Sequence, residues 1–280
     1  MTLGQLKLIL AQRKLRPNKK LGQNFLYDPN MIARVLRSIN VAKEETIVEV
    51  GPGMGALTEG LLGSAKDIWG VELDKGFSEY LKERFSGFPN FHLVHEDILR
   101  WSLPQVEGKI VLAGNLPYQI SSPFLEWLVQ NRHRISRAFI TVQSEFARRM
   151  TAQPGAREAS SLSCFVQMYT KPEILFKIPR TVFYPSPEVD SAFVKLILLE
   201  KPAVPVRDEQ SFRGLIRKGF SHRRKTLANA LHKELELPRQ KVEQFLTELR
   251  LSPDIRAEKL TLQQWAWLSD QIKSLTKGSD

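Results

Sequence analysis

Residues 48–59 read VEVGPGMGALTE: an apolar run closes on three glycines at alternate positions, Gly51, Gly53 and Gly55, and a helical pattern follows. A strand that turns through glycines into a helix is half of a β-α-β unit. Glycine enters positive φ without strain and lets a ligand approach the backbone. Taken alone such a turn is also an ordinary connector, so its neighbours decide the reading.

Outward from it, the runs TIVEV (46–50), IWGVEL (68–73), FHLVH (91–95), KIVLAG (109–114) and AFITVQ (138–143) alternate with helical spacing at 56–62, 77–85 and 123–129. That alternation predicts an α/β fold with a parallel sheet covered on both faces. In such sheets the ligand crevice lies at the carboxyl ends of the strands, where the winding reverses. Beyond residue 200 the run KPAVPVRDEQ (201–210), with two prolines and mixed charge, reads as a linker. Only helical periodicity follows, at 212–220, 225–235, 239–249 and 262–275. The expected organisation is a basic segment (1–30), a sheet domain (31–205) and a small all-helical domain (206–280).

A chain of 280 residues with 42% hydrophobic residues suits one large domain plus a smaller one. The single cysteine, Cys164, excludes a disulfide framework and offers no metal-type spacing, so no metal is expected. No apolar run nears the roughly 20 residues that span a bilayer, and the start lacks a long apolar signal core. A cytoplasmic protein without a membrane partner is expected. The net charge of +11 is uneven: residues 1–30 carry six Lys/Arg against one acid, 31–205 twenty against nineteen, and 206–280 fifteen against ten. Two basic ends around a near-neutral middle fit a catalytic body whose edges hold a polyanion, although positive charge also serves solubility.

The glycine turn reads GxGxG, with Pro52 stiffening it, rather than the GxGxxG of dinucleotide sites. It suits a ligand without a phosphate at that point, such as S-adenosylmethionine. Glu72 ends the second run, where a carboxylate can accept both ribose hydroxyls, and Asp97 follows the third, where it can accept from an adenine amine. Either acid alone is more often a solvated strand end or a helix cap. Three successive strand ends carrying turn, acid and acid favour cofactor binding.

Asn115 sits at the fourth strand end, in GNLPYQIS (114–121). An adenine exocyclic amine is a poor nucleophile because its lone pair is delocalised, so methylation needs acceptors that draw it toward tetrahedral geometry. The Asn115 side-chain carbonyl and the Leu116 backbone carbonyl, held by the fixed φ of Pro117, can supply two. Tyr118 can stack on an extruded base, and Phe183 can cover its other face. The alternatives are Asn115 as a helix cap, with Tyr118 and Phe183 as core aromatics.

These residues belong to longer stretches: KKLGQNFL (19–26), EVGPGMGALT (49–58), VELD (71–74), GNLPYQIS, QSEFARRM (143–150), FYPSPEVDSAF (183–193), FSHRRKTLANAL (220–231) and RAEKLT (256–261). Together they resemble the small-subunit (16S) ribosomal RNA adenine N6,N6-dimethyltransferases, the family whose bacterial members confer kasugamycin sensitivity. The resemblance implies a Rossmann-like class I methyltransferase sheet, mostly parallel with one antiparallel strand, followed by a helical domain. It implies transfer of methyl groups from S-adenosyl-L-methionine to two adjacent adenosines in the 3′-terminal hairpin loop of 16S rRNA, by a monomer acting on the small subunit or its precursor. Its cofactor contacts fall on Asn24, Leu26, Gly51, Glu72, Asp97 and Asn115. Spacing alone would not select Asn24 or Leu26, since their segment reads as the entry to a helix capped near Asp28. One stretch departs from the family pattern: Ala159–Ser160–Ser161–Leu162–Ser163 stands where relatives carry YGxLS.

A ribosomal partner also gives the basic ends a role. Arg213, Arg217, Lys218, Arg223, Arg224 and Lys225 lie in a stretch without acids, and helical spacing puts Arg213 and Arg217 on one face; phosphate contact is the expectation. Arg13, Lys14, Arg16, Lys19 and Lys20 form a second basic cluster. Two other readings use the same fold: a large-subunit rRNA methyltransferase of the macrolide-resistance type, and a mainly non-catalytic assembly checkpoint.

Overall fold

The computed structural model describes residues 2–18, 21–222 and 224–277. In chain order its first elements are α1 (Leu3–Gln12), β1 (Phe25–Leu26), α2 (Pro29–Ile39), β2 (Thr46–Val50), α3 (Ala56–Leu61), β3 (Asp67–Glu72), α4 (Lys75–Arg84) and β4 (Phe91–His95). Next come β5 (Ile110–Asn115), α5 (Ser121–Gln130), β6 (Ile135–Gln143), α6 (Ser144–Thr151), α7 (Ser161–Tyr169), β7 (Thr170–Ile178), β8 (Phe183–Tyr184) and β9 (Ser191–Leu198). Four helices close the chain: α8 (Glu209–Gly219), α9 (Leu227–Leu235), α10 (Arg239–Glu248) and α11 (Leu262–Lys277).

One compact unit comprises Met1–Ala147 and Lys171–Glu200. Its seven-stranded sheet has the order β4-β3-β2-β5-β6-β9-β7. Strands β4, β3, β2, β5 and β6 run parallel, and β9 lies antiparallel on β6 with Gln143 opposite Ser191. All of β2 is buried because both of its faces are covered, which is why TIVEV reads as one run rather than an alternation. The winding reverses between β2 and β5, so the crevice opens at their carboxyl ends.

On one side of the sheet, Ile32, Val35 and Ile39 of α2 pack with Leu57 and Leu61 of α3 and with Ile47, Val111 and Phe139 from the strands. Helix α2 starts where Asp28 accepts the Met31 N–H at 2.7 Å, with Pro29 in the first turn. Leu6 and Leu10 of α1 join Phe77, Tyr80 and Leu81 of α4 in another cluster. Arg13 adds a fork onto Glu83, 2.6 Å at each nitrogen. The first thirty residues thus include an apolar helix docked on the sheet unit.

The second unit comprises Arg148–Thr170 and Lys201–Asp280. A boundary at 205/206 does not describe it, because 148–170 packs with the terminal helices. The Ala203 N–H donates to the Met168 carbonyl (2.8 Å), the Tyr169 hydroxyl to Glu209 (2.7 Å), and the Arg213 guanidinium lies over the Phe165 ring (4.8 Å). Ala159–Ser163 opens α7, with Ser163 Oγ accepting the Ser160 N–H at 3.0 Å and donating to the Arg149 carbonyl at 2.6 Å. Among the described residues no helix is long and apolar enough to cross a membrane, and no three His, Cys, Asp or Glu side chains are grouped to hold a metal.

Gly114 is what lets β5 approach β2: a Cβ there would lie 2.9 Å from the Val50 carbonyl oxygen, which is backbone and cannot swing aside. Gly114→Ala is expected to destabilise the fold by about 1–3 kcal/mol, read as a lowered urea midpoint.

Candidate active site

At the carboxyl ends of β2, β3, β4 and β5 lies a cavity of about 190 Å³. Gly51, Glu72, Asp97 and Asn115 line it from four adjacent strand ends, and Asn24 and Leu26 reach it from the segment before α2. Leu116, Pro117, Tyr118 and Phe183 line it as well, so every cofactor and catalytic residue expected from the sequence faces one space.

The glycine turn is built from three positive φ angles, +65°, +57° and +74° at Gly51, Gly53 and Gly55. No atom lies within 4 Å of a Cβ built on Gly51, whereas one on Gly53 would meet the Phe25 ring at 2.8 Å. Glu72 braces the turn: one carboxylate oxygen accepts the Gly53 N–H and the other the Asp74 N–H, both at 2.9 Å. Burial pushes its pKa up against those two bonds. Each oxygen keeps a second acceptor site, which a ribose diol can fill. Asp97, half-buried two residues past β4, accepts the Leu99 N–H at 3.0 Å.

Asn115 does not cap the next helix; α5 begins only at Ser121. Its Nδ2 donates to the Asn24 backbone carbonyl at 2.7 Å. A carbonyl only accepts, so this bond fixes which end of the amide is nitrogen and leaves Oδ1 as the acceptor for an incoming amine. The Asn24 side chain donates in turn to the Gly22 carbonyl at 3.1 Å. The half-buried Tyr118 hydroxyl lies 2.8 Å from Ser191 Oγ, and burial raises its pKa. Phe183 is both core and lining: it is buried in the α2 cluster, and its backbone pairs with Leu26.

Glu49 was not among the expected site residues. It sits one residue before the end of β2, opposite Gly70 and Ala113, and it accepts the Thr58 hydroxyl at 2.6 Å. Burial is the main cause that pushes its pKa up to about 7. The available signal was a charged residue inside an otherwise apolar buried strand. With Glu49, Glu72, Glu96 and Asp97 the cavity holds four carboxylates, and among its described lining residues there is no Lys, Arg or His. A pyrophosphate would find no counter-charge. A ligand of net positive charge with a ribose diol fits, as S-adenosylmethionine does, whose sulfonium and ammonium outweigh its one carboxylate.

Comparison with known proteins shows the family. A family model described as ribosomal RNA adenine dimethylase matches residues 14–274. The chain belongs to the ribosomal RNA adenine dimethylase family. It is 37% identical to ribosomal RNA small subunit methyltransferase A of Moorella thermoacetica, over 97% of this chain and 98% of that one. The Lactococcus lactis protein of the same name is also 37% identical, over 96% and 94%. A crystal structure of a dimethyladenosine transferase from Plasmodium falciparum matches with a TM-score of 0.75 at 26% identity, covering 91% of this chain and 98% of that one. The 23S rRNA methyltransferase ErmE matches with a TM-score of 0.71 at 26% identity, over 89% and 99%. This dimethylase is therefore an enzyme that methylates rRNA adenines with S-adenosyl-L-methionine as donor, on a Rossmann-like sheet.

The basic residues expected to meet RNA lie in the helical unit. Arg217, Arg224 and Lys225 are exposed, Lys218 is half-buried, and Arg213 stacks on Phe165. Arg223, Lys19 and Lys20 lie outside the described residues.

The buried Glu49 gives the dimethylase a pH signature. A folded pKa of about 7 above an ordinary 4.5 means that the folded state holds a proton the unfolded state has released between those values. Glu49 should therefore make stability fall as pH rises from about 4.5 to 7, by up to about 3 kcal/mol; the gap between urea midpoints at pH 5 and pH 8 should narrow in Glu49→Gln, the raised pKa of Glu72 keeping part of it.

Proposed function

We propose that this dimethylase converts two adjacent adenosines in the 3′-terminal hairpin loop of 16S rRNA to N6,N6-dimethyladenosines, as a cytoplasmic monomer acting on the small subunit or its precursor. The near-full-length similarity to small-subunit methyltransferases at 37% identity carries this reading. ErmE, a 23S rRNA enzyme, stands at 26%.

Their shared place in the cavity supports the following roles. Glu72 takes the ribose hydroxyls of the donor, Asp97 its adenine amine, and Gly51 leaves its backbone open to close approach. When bound, S-adenosylmethionine supplies an electrophilic methyl group, whose bond to sulfur breaks with the electron pair left on sulfur as the bond to N6 forms. Asn115 Oδ1 and the Leu116 carbonyl accept hydrogen bonds from the target N6 amine, localising its lone pair toward that methyl group. Tyr118 stacks on the extruded base and Phe183 bounds its other side. No general base is required, because the methylated amine is acidic enough to release its proton to water; positioning supplies the catalysis. Arg213, Arg217, Lys218, Arg223, Arg224 and Lys225 contribute phosphate contacts.

Purified enzyme with tritiated S-adenosylmethionine should label unmethylated small subunits at two adjacent adenosines, and not large subunits. Label on the large subunit alone would replace this reading with the 23S one. Asn115→Ala is expected to lower kcat by 100-fold or more, on the order expected for losing an oriented acceptor, while cofactor affinity changes little. Glu72→Ala should instead weaken cofactor binding by about 10–100-fold, since it removes a buried acceptor pair.

A further inference from the structure

Two neighbouring residues at the start of β9 take no part in the chemistry above, yet both aromatic sides of the cavity are tied to them. Asp190 Oδ1 accepts the Arg180 N–H at 2.9 Å and Oδ2 pairs with Lys177 Nζ at 2.8 Å. This anchors the base of the loop that carries Phe183. Ser191 is fully buried, and its Oγ lies 2.8 Å from the Tyr118 hydroxyl. The backbone under the pair is fixed by Ser144, whose N–H donates to the Asp190 carbonyl at 3.0 Å and whose Oγ donates to the Ser191 carbonyl at 2.9 Å.

We infer that Ser191 is a positioning residue for methyl transfer: its buried hydroxyl fixes the Tyr118 ring, and Asp190 fixes the Phe183 loop, so one dipeptide sets the gap that receives the base. The inference rests on Tyr118 being the platform for the target adenine. Tyr118 stands on a short turn after β5 and is only half-buried, so packing alone does not hold its ring. A hydrogen bond at the far end of the phenol restricts the swing of the whole side chain. Near-attack geometry tolerates displacements well under about 1 Å, which makes that restriction matter for rate.

Dimethylation makes the demand asymmetric. After the first transfer, N6 carries a methyl group and must rotate about its bond to C6 to present its lone pair again. The base has to stay still while its substituent turns. A loosened platform therefore slows the second transfer more than the first, and monomethyladenosine accumulates.

The test is a double-mutant cycle with the full chain, on whichever rRNA the wild type methylates, so that it reads independently of the choice of subunit. Ser191→Ala and Tyr118→Phe each remove the same hydrogen bond and keep the ring. Each is expected to lower kcat of the second transfer about five- to tenfold, the order of one buried hydroxyl bond, and to raise the mono- to dimethyladenosine ratio. Affinity for S-adenosylmethionine should stay within about twofold, and the double variant should be no slower than either single one. Losses that multiply in the double variant, wild-type product ratios in Tyr118→Phe, or a fall in cofactor affinity matching the fall in rate for Ser191→Ala would overturn it.

Discussion

The hydrogen bond from the Asn115 amide to the Asn24 carbonyl, 2.7 Å long, joins two distant parts of the chain that both line the cavity. One end belongs to the sheet, at the mouth of β5; the other to the segment leading into α2. Because that segment also pairs Phe25 and Leu26 with Tyr184 and Phe183, the bond links Asn115 to the strand pair that includes Phe183. It also gives Asn115 a defined orientation, which an unbonded amide would lack. The Gly22 carbonyl that receives the Asn24 side chain, and the Gly114 approach to Val50, keep the two ends in register.

The second constraint is electrostatic. Glu49 and Glu72 are buried and carry raised pKa values, so ionising them in the cavity comes at a cost. Fixed N–H donors from Gly53 and Asp74, and the Thr58 hydroxyl, offset part of it. A cationic ligand offsets the rest, because desolvated carboxylates gain more from a positive partner than exposed ones do. The same buried charges thus favour a sulfonium donor over its thioether product, whose sulfur has lost that positive charge.

Much of the sheet was legible because a parallel strand covered on both faces is largely apolar, as β2 and β5 are. The strand ends named Gly51, Glu72, Asp97 and Asn115 by position before any side chain was seen. Asn24 was different: the group that orients Asn115 is its backbone carbonyl, and no residue type advertises a carbonyl. Glu49 was visible as a charge in an apolar strand, but spacing could not say that it faced the same cavity. The unit boundary was hidden for another reason. Residues 148–170 leave the sheet as helices and the chain returns to it in β7, so a boundary drawn along the sequence misses a unit assembled from two segments.

The cavity's charge also constrains how RNA can be engaged. The acidic lining, with no Lys, Arg or His among its described residues, repels phosphates, so the cavity is a poor place to hold a nucleic acid backbone. Affinity for the polyanion has to come from cations elsewhere on the chain, and the phosphate contacts proposed above lie in the acid-free stretch between Gln210 and Lys233. Only an uncharged part of the RNA can enter with little electrostatic penalty, and an extruded base is such a part. This division lets a near-neutral methyltransferase sheet keep an anionic cofactor site while the chain as a whole remains strongly basic.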